Sequence, residues 1–299
     1  MPGEDAARRQ HYADFYAPAD TDGPRGVVLG NCQAESLRQA LAGSGVRFSR
    51  VPPVHELVTS DIPHLQRLLS RVDVIVAQPI RDGYHGMPLG TRQMLDAAPP
   101  GVRSALVPVI RFAGLYPWQA IVRPPQDPSA DPPVVPYHDL RTLAAAAGSA
   151  TIARPSQAAL RSIADASLDE LRSREERHRT VPISDAFAHP SFALMRTINH
   201  PGNPVLEVLA ERVHDRLGLD GATAPLGRPM LDRVHAPREE PVIDLFGLPD
   251  EPRAHWLVDG EPVDDAEVRA AQLAWYREHP DVVQAGLDRH AETMRALGL

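Results

Sequence analysis

The residue best placed to do chemistry is Cys32, the only cysteine in the chain. It lies in Val27-Val28-Leu29-Gly30-Asn31-Cys32-Gln33-Ala34-Glu35-Ser36-Leu37, where three aliphatic residues run into a glycine and a helix-like segment follows. A short apolar run bounded by turn residues reads as a buried strand, and Gly30 permits the tight turn that a strand-to-helix switch needs. Cys32 would then sit at a helix N-terminus, where unpaired N–H groups and the helix dipole favour a thiolate, the nucleophilic form of the side chain. The layout resembles a hydrolase nucleophile elbow with Cys in place of Ser. The backbone N–H of Gln33 and the side chain of Asn31 are the candidate oxyanion donors. A base is also required, and the chain has 13 His to choose from. His200 is favoured: it stands in Asn199-His200-Pro201 ahead of a helix, and Pro201 disfavours helix at His200. His189, in a similar His-Pro context, and His85, in a loop, are weaker candidates. Glu35, Asp82 and Glu207 are the acids that could orient such a base, and the sequence does not choose between them.

These residues need elements to hold them. The pattern predicts strands at Gly26–Leu29, Val46–Val51, Val72–Gln78 and Ala105–Phe112. Between them it predicts helices at about Gln33–Leu41, Ile62–Leu69 and Thr91–Ala97. Strands alternating with helices imply a mostly parallel sheet, whose ligand site lies beyond the C-terminal strand ends. That expectation puts Asn31–Gln33, the loop after Gln78 and the loop after Phe112 on one rim. Further on, Leu140–Ala147, Gln157–His178, Val205–Leu217, Asp264–Arg277 and Asp281–Leu297 read as helices, so the C-terminal half is strongly helical. Pro124–Pro136 reads as a surface loop, and residues 222–262 as Pro-rich chain with few periodic runs. The expected organisation is a polar lead-in over 1–25 onto which Tyr12, Phe15 and Tyr16 pack, an α/β domain over 26–220, and a mostly helical extension over 221–299.

Composition narrows the chemistry. A hydrophobic fraction of 43% and a charged fraction of 23% are those of an ordinary globular chain. No apolar run approaches the ~20 residues of a membrane helix. The first ten residues mix acids with bases and lead into no apolar stretch, so they do not read as a signal peptide. A formal net charge of -8 argues against general nucleic-acid binding. There is no Lys, all 31 basic residues being Arg. This excludes a P-loop lysine, a Schiff-base lysine and a Ser–Lys pair, while leaving bidentate phosphate contacts available. One cysteine excludes internal disulfides and thiolate metal clusters and fits a reducing cytoplasm. The His residues show no His-Glu-x-x-His type pair, so no metal is expected.

Several motifs together resemble the WcbI-type polysaccharide biosynthesis acetyltransferase family. They are Gly30-Asn31-Cys32-Gln33 after the first strand, Asp73-Val74-Ile75-Val76-Ala77-Gln78-Pro79, the Phe112–Pro117 loop, and Thr197-Ile198-Asn199-His200-Pro201 followed by Asn203 and the 205–213 helix. The resemblance covers roughly residues 26–215. It implies a small, mostly parallel sheet flanked by helices, in an SGNH or flavodoxin-like arrangement. It also implies an enzyme that takes coenzyme A or its acetyl thioester and transfers the acyl group to a sugar hydroxyl, with the family's cysteine falling on Cys32 and its Asn-His-Pro histidine on His200. For the phosphates of coenzyme A the candidates are Arg81, Arg92 and Arg111, with Tyr84 placed to stack on an adenine. For the acceptor they are Gln78, His85, Tyr116, Trp118 and Asn199. The chain departs from the family in the 112–118 loop, where Tyr116 and Trp118 stand in place of a His and an acidic residue. It departs again over residues 222–299, which match nothing in the family and are expected to set acceptor choice or to pack a homodimer. A cysteine-dependent ester or thioester hydrolase and a non-catalytic coenzyme A- or sugar-binding homologue are the rival readings.

Overall fold

The computed structural model describes residues 2–18, 22–127, 130–149 and 154–299, with only the backbone of 2–5. In chain order the helices are α1 (Pro2–His11), α2 (Ala13–Tyr16), α3 (Cys32–Ala40), α4 (Ile62–Leu69), α5 (Thr91–Asp96), α6 (Leu140–Ala146), α7 (Gln157–His178), α8 (Asn203–Leu217), α9 (Glu240–Phe246), α10 (Asp265–Glu278) and α11 (Pro280–Leu297). The strands are β1 (Arg25–Leu29), β2 (Arg47–Ser49), β3 (Val74–Ala77), β4 (Arg103–Leu106), β5 (Gln119–Ala120), β6 (His138–Asp139), β7 (Met195–Thr197), β8 (His200–Pro201), β9 (Val234–His235), β10 (His255–Val258) and β11 (Glu261–Asp264). The chain divides into two compact units with interleaved segments. The first holds Met1–Val109, Arg172–Ala186 and Gly202–Met230; the second holds Ile110–Leu171, Phe187–Pro201 and Leu231–Leu299.

In the first unit four parallel strands form a sheet in the order β2-β1-β3-β4. The Val-Ile-Val-Ala run of β3 is buried throughout, as a central parallel strand covered on both faces must be. Val27, Leu29, Ile75 and Ala77 share a core with Leu65, Leu68 and Leu69 of α4 and with Met94 of α5. Phe15 and Tyr16 of α2 join the same core, as expected from the sequence, so the lead-in is helical and anchored. Asp61 fastens it: the carboxylate, only 2% exposed, accepts from Arg8, from the Tyr16 hydroxyl at 2.9 Å and from the Val58 N–H at 3.1 Å. Val205, Leu206, Leu209, Ala210, Val213 and Leu217 form the buried stripe of α8, which packs on α3 and β4. Gly218, left-handed at φ 57°, ends that helix. Glu175, also buried, accepts the Ile183 and Ser184 N–H groups at 2.8 and 2.9 Å and the Ser184 hydroxyl at 2.7 Å.

The fourth strand is shorter than the sequence implied. It stops at Leu106 rather than Phe112, because Pro108 has no N–H to give a ladder. In the second unit β5–β6 and β7–β8 are short antiparallel pairs, and β9, β10 and β11 form an antiparallel sheet. In the Pro-rich stretch 222–262, read as having few periodic runs, the structure places α9, β9, β10 and the start of β11. The β10–β11 turn is Asp259-Gly260, with both φ angles positive at 50° and 88°, the two-residue hairpin turn that favours Asp-Gly. Helices α6, α10 and α11 pack together. His138 is buried against them; Tyr276 donates its hydroxyl to Nδ1 at 2.6 Å, and Nε2 faces the Val122 carbonyl at 3.0 Å. Among the described residues no helix is long and apolar enough to cross a membrane.

Candidate functional site

The chain runs from β1 to β2 on one side and then to β3 on the other, so the strand order reverses between β1 and β3. In an open parallel sheet that reversal point, at the C-terminal strand ends, is where ligands bind. Leu29 and Ala77 are the paired last residues of the two strands, and Gly30 to Gln33 and Gln78 follow them directly. Cys32 is the first residue of α3 and is half-exposed. Asn31 is the N-cap: its Oδ1 accepts the Gln33 N–H at 2.9 Å. This corrects one expectation. The Gln33 N–H proposed as an oxyanion donor is already taken by the cap, and the Gln33 side chain is buried at 3% exposure. With its Oδ1 accepting at the cap, Asn31 carries an amide NH2 that is a further donor at the elbow.

Gln78 ties this turn together. Its Oε1 accepts the Asn31 N–H at 2.9 Å and its Nε2 donates to Gln33 Oε1 at 3.1 Å. A Cβ on Gly30 would meet that Oε1 at 2.5 Å. Gly30 is therefore required for the close approach of the Gln78 amide, not for a left-handed backbone. Gln78 itself is 3% exposed, so it supports the loop and offers no surface to a substrate.

On α3, Glu35 gathers charge. Arg38 grips it with Nε at 2.7 Å and Nη2 at 2.9 Å, Gln39 donates at 3.0 Å, and Arg50 Nε lies 3.4 Å away. Burial pushes the Glu35 pKa up, but the guanidiniums of Arg38 and Arg50 outweigh it and hold it below the usual carboxylate range. Arg228 reaches Gln39 Oε1 at 3.5 Å. Of the acids considered as orienting groups, Glu35 thus holds arginines, Asp82 pairs with Arg92, and Glu207 accepts the Leu226 N–H at 2.8 Å. The loop after β3 carries exposed Arg81 and His85 and half-buried Tyr84, which leans edge-on to His85 at 4.3 Å. Arg92 is exposed but bound by Asp82 and Asp96, at 3.0 and 3.1 Å.

In the second unit, His200 opens β8 opposite Thr197. The hairpin is held by Gln119, which accepts the Ile198 N–H at 2.8 Å, and by Phe112, whose N–H donates to the Ile198 carbonyl at 2.9 Å. The Thr197 hydroxyl donates to the Tyr137 hydroxyl at 2.9 Å, which donates in turn to Asn199 Oδ1 at 2.9 Å. Burial, reinforced by Arg196 and His235, pushes the His200 pKa down to about 4, so the ring is neutral at pH 7. Arg111 is half-buried here, and His189 is exposed. Two acceptor candidates are displaced by burial. Tyr116 is 5% exposed and donates its hydroxyl to the Met195 carbonyl at 2.8 Å, and burial raises its pKa beyond reach. Trp118 is 5% exposed and lies under the Arg141 guanidinium, 4.9 Å from its ring centre. Neither ring is open to a sugar.

The sequence profile described as "Polysaccharide biosynthesis enzyme WcbI" matches residues 25–222, two thirds of the chain. The chain belongs to the WcbI family. The match spans the elbow at Cys32, the Gln78 strand and the Asn199-His200-Pro201 hairpin, and stops short of β9 to α11. The chain is also similar to a solved structure of WcbI itself, at 18% identity and a TM-score of 0.73, covering 93% of this chain and 99% of that one. That likeness is one of fold, and it runs beyond the family match into the C-terminal third. The WcbI structure is described as a novel polysaccharide biosynthesis enzyme, in native form without a disulfide bond between coenzyme A and a cysteine. A comparison with curated proteins found no match.

Against this WcbI-family frame, sequence reasoning missed three features. Gln78 was expected to contact the acceptor, and its tie to the Asn31–Gln33 turn was not foreseen. The arginines around Glu35 were overlooked because Arg50 and Arg228 lie outside any motif. His235, whose Nε2 lies 2.8 Å from Asp232 Oδ1, was lost in the Pro-rich stretch where no strand was expected. Burial lowers the pKa of His235, against the pull of Asp232. Among the described residues no group of three His, Cys, Asp or Glu is placed to hold a metal ion.

Proposed function

We propose that this WcbI-family protein transfers an acyl group, acetyl in the simplest case, from a coenzyme A thioester to a hydroxyl of a saccharide or glycosylated metabolite. The observation that carries the reading is the position of Cys32: half-exposed, first in a helix, at the strand reversal point, between two amides held in place. The mention of coenzyme A and a cysteine for the WcbI structure supports the same chemistry. In the first half-reaction the Cys32 thiolate attacks the thioester carbonyl, the bond to the coenzyme sulfur breaks, and the coenzyme leaves as a thiolate that takes up a proton. The NH2 of Asn31 donates to the developing oxyanion. In the second, the acceptor hydroxyl gives its proton to a histidine and attacks the acyl carbon, and Cys32 departs as thiolate. His200 is the proposed base, neutral at pH 7 and so able to accept a proton.

A coenzyme A thioester brings a pyrophosphate and a 3′-phosphate, which guanidinium groups suit. Arg81, exposed in the loop after β3, and Arg50 and Arg228, near the start and side of α3, are the proposed contacts. Arg92 is less suited, being held between two carboxylates. Tyr84 is proposed to border the adenine.

The test is intact mass of the protein mixed with acetyl-CoA, beside Cys32→Ala, with coenzyme A binding to both followed by calorimetry. An acetyl adduct on the parent and none on the variant is the expected result. Tight binding with no adduct would mean direct transfer with Cys32 only positioning the thioester. No binding to either protein would overturn the proposal and turn attention to an ester or thioester hydrolase.

A further inference from the structure

We propose that Gln78 is a positioning residue for Cys32, setting the orientation and reactivity of its thiol without touching substrate. The inference rests on reading Cys32 as the reactive residue. Gln78 is fixed at every polar atom. Its backbone N–H donates to the Leu29 carbonyl at 2.8 Å, and its own carbonyl accepts the Thr91 hydroxyl at 2.7 Å. That hydroxyl in turn accepts the Ile80 N–H at 2.8 Å. The side chain then reaches the neighbouring loop with both ends: Oε1 to the N–H of Asn31, Nε2 to Oε1 of Gln33. A second, longer contact runs from Nε2 to the Pro108 carbonyl at 3.5 Å.

The residues held are those on either side of Cys32. Holding the Asn31 N–H fixes the peptide entering the helix, and Asn31 Oδ1 caps the Gln33 N–H from that position. Holding Gln33 Oε1 fixes the residue after Cys32 inside the core. Both neighbours of Cys32 at the start of α3 are therefore tied to one amide that directly follows the adjacent strand. A residue serving only the sheet would need its backbone alone. A carboxamide that donates at one end and accepts at the other cannot be replaced by Leu, which does neither, or by Glu, which keeps the acceptor, loses the donor and buries a charge.

The experiment is alkylation of Cys32 by iodoacetamide in the free protein, as rate against pH, in Gln78→Leu and Gln78→Glu. A core variant of the same unit, Leu68→Ala, matches the loss of melting temperature. Loosening the first turn weakens its hold on the thiolate, so the profile of Gln78→Leu should move to higher pH and slow alkylation at pH 7 about tenfold, the effect of one pH unit. The added negative charge should move Gln78→Glu further in the same direction. Leu68→Ala should keep the parent profile. Profiles of both Gln78 variants superimposing on the parent would overturn the proposal. If Gln78→Leu does not fold, the isosteric Gln78→Glu decides alone by the same criterion. Because alkylation needs no acyl donor, a shifted profile in a protein that does not bind coenzyme A would sink the transferase reading and keep the positioning role. A normal adduct with an unshifted profile would do the reverse.

Discussion

Gly30→Ala is the smallest change that tests the elbow. The new Cβ would lie 2.5 Å from Gln78 Oε1, 2.8 Å from its Cδ and 3.0 Å from its Cγ, where ordinary contact begins at 3.4 Å. The oxygen must retreat by the difference, about 0.9 Å, which stretches its 2.9 Å bond to the Asn31 N–H beyond hydrogen-bond range. A buried N–H left without its partner costs about 1–3 kcal/mol, and the displaced Nε2 bond to Gln33 adds about 1 kcal/mol. The reduced freedom of the unfolded chain returns about 0.4–1 kcal/mol. The net cost is then about 1–3.6 kcal/mol, or roughly 2–14 °C of melting temperature for a chain of this size. Thermal unfolding followed by circular dichroism measures it. The double variant with Gln78→Ala gives the sharper test, because a truncated side chain leaves nothing for the Cβ to strike. Gly30→Ala should then cost at least about 1 kcal/mol less in that background than alone. Strictly additive costs, or a Gly30→Ala protein that melts with the parent, would refute the argument that the two residues are locked together.

Three further outcomes follow from buried polar groups. His138 and His200 are both pushed down to about 4, so between there and the unfolded value near 6.5 the unfolded chain binds protons that the folded one does not. Stability should be full above pH 6.5 and fall as pH drops toward 4, by up to about 3 kcal/mol for each histidine, and His138→Gln should flatten the urea-midpoint profile over that window. For Asp61, burial pushes the pKa up, but Arg8, the Val58 N–H and the Tyr16 hydroxyl outweigh it and hold it below the usual range. Its stabilisation is therefore present above the unfolded pKa and lost as pH falls further; Asp61→Asn should quicken amide exchange in α2, and unchanged exchange would exclude the anchoring role. Glu175→Ala strands two N–H groups and a hydroxyl and should cost about 3 kcal/mol or more by urea unfolding, whereas Glu175→Gln, whose oxygen can keep both N–H bonds, should cost about 1 kcal/mol or less.

The parallel sheet was legible because its two central strands, β1 and β3, are nearly continuous buried apolar runs. Gly26–Leu29 and Val72–Gln78 could be found as runs, and the helices read at Ile62–Leu69 and Gln157–His178 fell on the bounds observed. The cysteine elbow was legible for the same reason: a strand that ends in Gly-Asn-Cys needs only local grammar. What pairs across sequence distance was not. Gln78 and Asn31 are 47 residues apart, and nothing in either stretch announces that one amide serves the other. Tyr116 and Trp118 looked like ligand contacts because they are aromatic and lie beside a proline, and only the burial of both rings corrects this. The Asp259-Gly260 turn was a signal that went unread, since a Pro-rich setting hid the two four-residue strands it joins.

The interleaving of the two units has a consequence for biosynthesis. The first unit lacks its last segment until residue 230 has been made, and the second requires chain from residue 110 to the C-terminus. Neither can complete itself while the ribosome is still translating the region that the family profile covers. Strand β4 and helix α3 therefore emerge well before α8 is available to pack on them. A stop codon at the apparent family boundary would release a polypeptide in which both units are incomplete.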